Sequence, residues 1–139
     1  SHRFTRPLSV LVMDIDRFKQ VNDAHGQPVG DVVLLQMSDR FREVLREIDL
    51  VCRYGGEEFC ILPSESDREG ALKVAERILQ EVNSRPFETR VGALNITISI
   101  GLASLDGADI GLEELLDQAD KALFQAKTAG RNQVSCYEP

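Results

Sequence analysis

The sequence predicts an α+β fold, an α/β sandwich whose antiparallel-rich central sheet is flanked by helices packed mostly on one face. Three observations carry that expectation. A nearly continuous apolar run at Ser9–Ile15 has the pattern of a central strand covered on both sides. Two short strand-like segments bracket Gly55-Gly56, and longer stretches repeat apolar residues every three or four positions. In chain order the segments read β, α, β, β, α, β, α, β, with no internal repeat, low-complexity segment or linker.

Each element has a local reason. After the first strand, Phe18–Val29 is polar and holds Gly26 and Pro28, so a short helix or loop is expected. From Gly30 to Arg46, Val33, Leu34, Met37, Phe41, Val44 and Leu45 share one helical face. Leu50–Tyr54 and Glu58–Leu62 flank the paired glycines, which would supply the positive φ angles of a tight hairpin. Ser66-Asp67-Arg68-Glu69 has capping-box spacing ahead of Ala71, Val74, Ala75, Ile78, Leu79 and Val82, and this helix should end near Ser84, before Pro86. Leu94, Ile96, Ile98, Ile100 and Leu102 alternate with Asn95, Thr97, Ser99 and Gly101, the period of a half-buried strand. Helical spacing returns at Leu112, Leu115, Leu116, Ala119, Ala122, Leu123 and Ala126. Gly130 stops that helix, and Gln133–Tyr137 reads as a last strand.

Size and composition set the limits. With 139 residues, 42% hydrophobic and 28% charged, the chain describes one soluble globular domain. The net charge of −7 argues against a polynucleotide partner, which would need a basic face. No segment approaches the roughly 20 apolar residues that cross a bilayer. No signal peptide is recognisable, so a cytoplasmic setting without membrane insertion of this domain is expected. Cys52, Cys60 and Cys136 lack CxxC or zinc-like spacing and read as free thiols in a reducing compartment.

The chemistry concentrates in two acidic clusters. Asp14-Ile15-Asp16 closes the first strand, and Glu57-Glu58 follows the two glycines. A carboxylate at the end of a buried strand needs a cation, and Asp14 with Glu57 and the Ile15 carbonyl would hold one or two Mg²⁺ ions if strand and hairpin are neighbours. Such ions bridge phosphate oxygens and activate an attacking hydroxyl. Plainer readings stand beside this one: Gly-Gly as a turn, the glutamates as solvated charges, and Asp-x-Asp as a turn cap.

Asp14-x-Asp16-x-Phe18-Lys19-x-x-Asn22-Asp23, Gly26-x-x-x-Gly30-Asp31 and Arg53-Tyr-Gly-Gly-Glu-Glu-Phe59 together resemble the GGDEF domain of bacterial diguanylate cyclases. Ser99-Ile100-Gly101 and Ala119-Asp120-x-Ala122-Leu123-x-x-Ala126-Lys127-x-x-Gly130-Arg131-Asn132 extend the match over nearly the whole chain. The resemblance implies a fold similar to the nucleotidyl cyclase and polymerase palm, of ferredoxin-like type. It implies condensation of two GTP into cyclic di-GMP with release of pyrophosphate, each GTP held by one subunit of a homodimer. Mg²⁺ is the expected cofactor, with Mn²⁺ as the other candidate. By position, Asp14, the Ile15 carbonyl and Glu57 would bind metal. Glu57 would help deprotonate the 3′-hydroxyl, with Glu58 as a supporting acid, and Gly55 and Gly56 would lie against the substrate. Amides near Phe18 and the side chains of Lys19, Lys127 and Arg131 would hold phosphates.

Asn22 and Asp31 would choose the base. One carboxylate can accept both the N1–H and N2–H₂ of guanine, whereas adenine N1 would confront it with a lone pair. Asp31 also reads as a charge stabilising a helix N-terminus. Arg46-Glu47-Ile48-Asp49 carries the RxxD pattern of family members that bind their own product as an inhibitor, with Arg77 at the position of a secondary arginine. Arginine reads guanine O6 and N7 with two parallel bonds, and the same pattern also reads as an i,i+3 salt bridge.

Two departures from the family pattern qualify the expectation. The family usually has Gly-His where this chain has Gly26-Gln27, with His25 on the other side, and its upstream Asp-x-Leu-Thr segment is missing. Residues 1–139 are therefore expected to be a single GGDEF domain from a longer signalling protein with an upstream sensory or dimerising module, which leaves room for a membrane-anchored parent. Besides an active cyclase, a noncatalytic receptor for GTP or cyclic di-GMP fits the binding residues. A cyclase acting on one purine nucleotide shares the fold but not the guanine pair.

Overall fold

The computed structural model describes residues 8–45, 49–53, 56–63, 67–105 and 110–138. Along the chain these form β1 (Leu8–Ile15), α1 (Phe18–His25), α2 (Gln27–Val44), β2 (Leu50–Arg53), β3 (Glu58–Leu62) and α3 (Arg68–Asn83). Next come β4 (Phe87–Thr89), β5 (Gly92–Leu94), β6 (Ile98–Leu105), α4 (Leu112–Thr128) and β7 (Val134–Cys136). Among the described residues the main sheet has the order β2-β3-β1-β6-β7, antiparallel except for the β6–β7 pair, and β4-β5 makes a separate hairpin.

Alternation along β1 sorts the core. Leu11, Met13 and Ile15 pack with Phe59, Ile61, Ile98, Ile100 and Leu102 against α2 and α3, through Met37, Phe41, Ala75 and Ile78. Val10 and Val12 point the other way, joining Cys60, Ala103 and Leu105 under Leu115, Ala119 and Leu123 of α4. Helices α2 and α3, with Phe18 of α1, thus cover one face and α4 the other, so the helices lie mostly on one face, as expected. The β6 expectation changes. Its small residues Ser99, Gly101 and Ala103 are not a solvent face but a seat for α4, and almost the whole strand is buried.

Other boundaries shift for local reasons. Helix α2 starts at Gln27 rather than Gly30, because Pro28 falls in the first turn, where its fixed φ suits a helix and its missing N–H costs nothing. The cap of α3 is Asp67, whose carboxylate accepts from the Gly70 N–H at 2.8 Å; Ser66 lies outside the described residues. Leu94 pairs with Phe87 in the β4–β5 hairpin instead of beginning β6, and Gly92 at φ 111° serves that turn. Gly130, at φ 124°, follows the end of α4 as expected.

Arg40 is the main surprise of the core. It is 3% exposed, donates to the Val82, Arg85 and Pro86 carbonyls at 2.8 Å each, and lies 3.7 Å over the Phe87 ring. It ties the end of α3 to α2. Burial, and then the neighbouring Arg85 charge, pull its pKa down.

Candidate active site

The ends of β1 and β3 create the site. In the register Asp14 faces Glu58 on one side and Ser99 on the other, and the Ile15 N–H donates to the Glu57 carbonyl at 3.2 Å. Asp14 is two residues past Val12, and Glu58 two residues before Cys60, so alternation puts both on the face that α4 covers. Lys127, in the last turn of α4, meets them there and pairs with Asp14 Oδ2.

Asp14 is 7% exposed, and its second oxygen, Oδ1, is buried without a hydrogen-bond partner. Glu58 is half-buried, and burial pushes its carboxyl up. The Asp14 charge adds to the shift, the Lys127 ammonium opposes it, and Asp120 and Glu57 add lesser contributions. Several carboxylates thus gather around the Lys127 ammonium.

The two aspartates of Asp14-x-Asp16 do different work. Asp16, also 7% exposed, accepts from Ser99 Oγ and Thr97 Oγ1 at 2.6 Å each and from the Asn132 N–H at 3.0 Å. Both of its oxygens are engaged in a structural tie between β1, β6 and the loop after α4. Of the metal and turn-cap readings, Asp16 takes the structural role, and Asp14 keeps the available oxygen. That oxygen is a hard anionic donor of the kind Mg²⁺ or Mn²⁺ prefers, so the residues present fit a divalent ion. No group of three or more His, Cys, Asp or Glu among the described residues is arranged to hold a metal.

Beside this acidic end, α1 presents its N-terminus. Arg17 sits there at φ 58° without a side-chain cap, and the first turn has no acidic residue. Backbone N–H groups near Phe18 are thus available to an anion, with Lys19 exposed alongside; Phe18 itself is buried. Arg131 lies in the loop after α4 at φ 65°, between Gly130 and Asn132, which also have positive φ.

On the far side of α1, a Cβ at Gly30 would fall 1.8 Å from Asn22 Oδ1, so this glycine makes room for Asn22. Asn22 Oδ1 is buried without a partner. Asp31 is exposed and, because α2 begins at Gln27, lies beyond the first turn, which removes the helix-terminus explanation for its charge. It borders a cavity of about 280 Å³ with Leu34, Leu35, Ser38 and Phe59. Asp31, Leu34, Leu35 and Ser38 share one helical face by their spacing, and of the three that join Asp31 only Leu34 belongs to the apolar pattern read from the sequence.

Gly55 lies outside the described residues. Gly56 is exposed, and a Cβ there would meet nothing within 4 Å. Its bareness faces open space, as a surface for a ligand would. Glu57 next to it is half-buried. Of the RxxD elements, Arg46 lies outside the described residues, Asp49 is half-buried ahead of β2, and Arg77 is exposed on α3. Cys60 is buried and Cys136 half-buried.

Comparison with known proteins places this arrangement. The family model "Diguanylate cyclase, GGDEF domain" matches residues 1–133. The chain is 45% identical over 130 residues to the response regulator PleD of Caulobacter vibrioides, covering 92% of this chain but 29% of PleD. The active GGEEF domain of a diguanylate cyclase from Vibrio cholerae superposes with a TM-score of 0.88 at 34% identity, covering 96% of this chain and 85% of that one. The GGDEF domain of DgcB from Caulobacter crescentus, solved in complex with c-di-GMP, does so with a TM-score of 0.86 at 32% identity, over 96% and 80% of the two chains. No described helix is long and apolar enough to cross a membrane. From the motif order, the sheet register and these matches, the chain belongs to the GGDEF domain family of diguanylate cyclases.

Proposed function

We propose that this domain condenses two GTP into cyclic di-GMP and two pyrophosphates, as a homodimer in which each subunit holds one nucleotide. The observation that carries the reading is Asp14: a buried carboxylate with an unpartnered oxygen, directly across the strand register from Glu58 and next to the Gly56-Glu57 turn. The diguanylate cyclase relatives and the c-di-GMP complex of DgcB support it.

In this reading the guanine enters beside Asp31, where the carboxylate accepts N1–H and N2–H₂ while Asn22 contacts the base from α1. The phosphates lie over the N-terminal amides of α1, with Lys19, Lys127 and Arg131 neutralising their charge. Asp14, the Ile15 carbonyl and Glu57 would hold Mg²⁺ or Mn²⁺, which when bound neutralises the α-phosphate and lowers the pKa of the attacking 3′-hydroxyl. Glu57 takes the proton from that hydroxyl. Glu58, with its carboxyl pushed up, supports Glu57 as a neighbouring acid. The exposed Gly56 leaves the turn bare where the second nucleotide must approach.

Product would return to a second site at Arg46, Asp49 and Arg77 and inhibit synthesis. The setting is cytoplasmic, and the chain, at 29% of the length of PleD, acts within a longer signalling protein whose upstream part pairs the domains. The test is product formation from GTP and Mg²⁺, resolved by chromatography, across protein concentrations and beside a version fused to a dimerising coiled coil. Cyclic di-GMP from either form supports the cyclase. No product from the paired form together with tight cyclic di-GMP binding would favour a noncatalytic receptor instead.

A further inference from the structure

We infer that Lys127 is a resident counterion of Asp14, exchanged for the divalent cation when metal and nucleotide bind, so that one side chain couples the two binding events. The inference rests on the metal-site reading above. Asp14 is nearly buried, and an isolated carboxylate there would be costly without a cation. Lys127 supplies one: its side chain is 33% exposed, and its ammonium pairs with Oδ2 while Oδ1 has no partner. Glu57, Glu58 and Asp120 are close enough for their charges to be felt in the same cluster. Of the charges that act on Glu58, that of Lys127 is the one that opposes the carboxylates.

A cation bound through Asp14 and the ammonium that now pairs with it repel one another, and the lysine is the partner that can leave. Its charge is a point on a flexible stem, whereas Asp14 is held by the β1 ladder on both sides. Lys127 is anchored in the last turn of α4, three residues before Gly130 and the Arg131 loop. Once displaced, its ammonium is released beside the place where the phosphates are expected. The metal-free protein then carries no bare buried charge, and bare metal binds weakly because it must evict the lysine. Nucleotide strengthens metal binding by taking up the released ammonium, and linkage makes that effect reciprocal.

The test is Mn²⁺ binding to the whole chain without nucleotide, read from the paramagnetic resonance signal of free Mn²⁺, in the parent, Lys127→Met and Asp14→Asn. Lys127→Met should bind Mn²⁺ about tenfold tighter than the parent, within the usual range of site-to-site coupling. A nonhydrolysable GTP analogue should tighten Mn²⁺ binding in the parent more than in this variant, and Asp14→Asn should lose the site. Equal Mn²⁺ affinity in the parent and Lys127→Met, with Asp14→Asn still defective, overturns the exchange and leaves the metal site standing. Binding unchanged in Asp14→Asn, or absent from parent and Lys127→Met alike, overturns the metal-site reading and the exchange with it. If Lys127→Met does not fold, the parent decides: with lysines ¹³C-methylated and Lys127 assigned by Lys127→Arg, its signal should move on adding Mg²⁺ alone. A signal unmoved at saturating Mg²⁺ overturns the proposal.

Discussion

Gly101 of β6 and Leu123 of α4 meet backbone to backbone: a Cβ on Gly101 would stand 2.3 Å from the Leu123 nitrogen and 2.2 Å from the Ala119 carbonyl oxygen. Nothing flexible lies in the way that could yield. Gly101→Ala must lift α4 from the sheet, at a cost of about 1–3 kcal/mol or more. Because α4 carries Lys127, the Asp14 pair should loosen as well. Urea unfolding checks this, and an unchanged midpoint would mean that α4 does not seat on β6 in this way.

Asp16 accepts three hydrogen bonds from two separate parts of the chain, two at the start of β6 and one in the loop after α4. Asp16→Ala leaves two hydroxyls and an N–H without their acceptor, a loss of roughly 3–5 kcal/mol. The same variant should increase hydrogen exchange in the Gly130–Gln133 loop. A loss under about 1 kcal/mol would contradict the structural role.

Glu58 titrates above its ordinary 4.5 in the folded state, chiefly because it is partly buried and then because Asp14 is near. The folded state therefore holds that proton more tightly than the unfolded chain. Stability should fall as pH climbs from about 4.5 through the raised value, and stay low above it. In metal-free buffer, Glu58→Gln should thus unfold at higher denaturant than the parent at pH 8, and the difference should vanish below about pH 4.5. A variant less stable than the parent at pH 8 would show that the Glu58 charge is favourably paired.

Glu57→Gln removes a charge at nearly constant volume. Turnover should drop at least about 10²-fold, with the circular dichroism spectrum retained. Substantial remaining activity would assign the proton-accepting role elsewhere.

Asp31→Ala should chiefly affect the choice of base. Discrimination of GTP over ATP, measured as the ratio of kcat/KM values, should fall by about 10²-fold or more, since selection by paired hydrogen bonds is strong. A variant that rejects ATP as well as the parent does would remove Asp31 from base reading.

Most of the fold was legible because its elements are strongly periodic. Strand β1 follows from its apolar run, β3 from its place after the paired glycines, and the body of each long helix from apolar spacing. The β4–β5 hairpin was not, because three-residue strands are too short to show a period, and Leu94 and Ile96 happened to continue the alternation of β6. Arg40 could not be read as core. An arginine on an amphipathic helix looks solvent-facing until the Val82, Arg85 and Pro86 carbonyls are brought to it across more than forty residues.

The candidate site divides in the same way. By itself the sequence determined the family motifs and so the candidate residues, since Asp14, Asn22, Asp31 and Glu57-Glu58 stand at spacings that residue type and order reveal. Only the tertiary structure decided between Asp14 and Asp16. Their roles depend on which donors arrive from β6, α4 and the loop beyond, and those donors are more than eighty residues away. The physical reason is that an ionised carboxylate is defined by its partners. Identical side chains two positions apart become a structural tie and a carboxylate with an oxygen to spare once one gathers three donors and the other a single lysine.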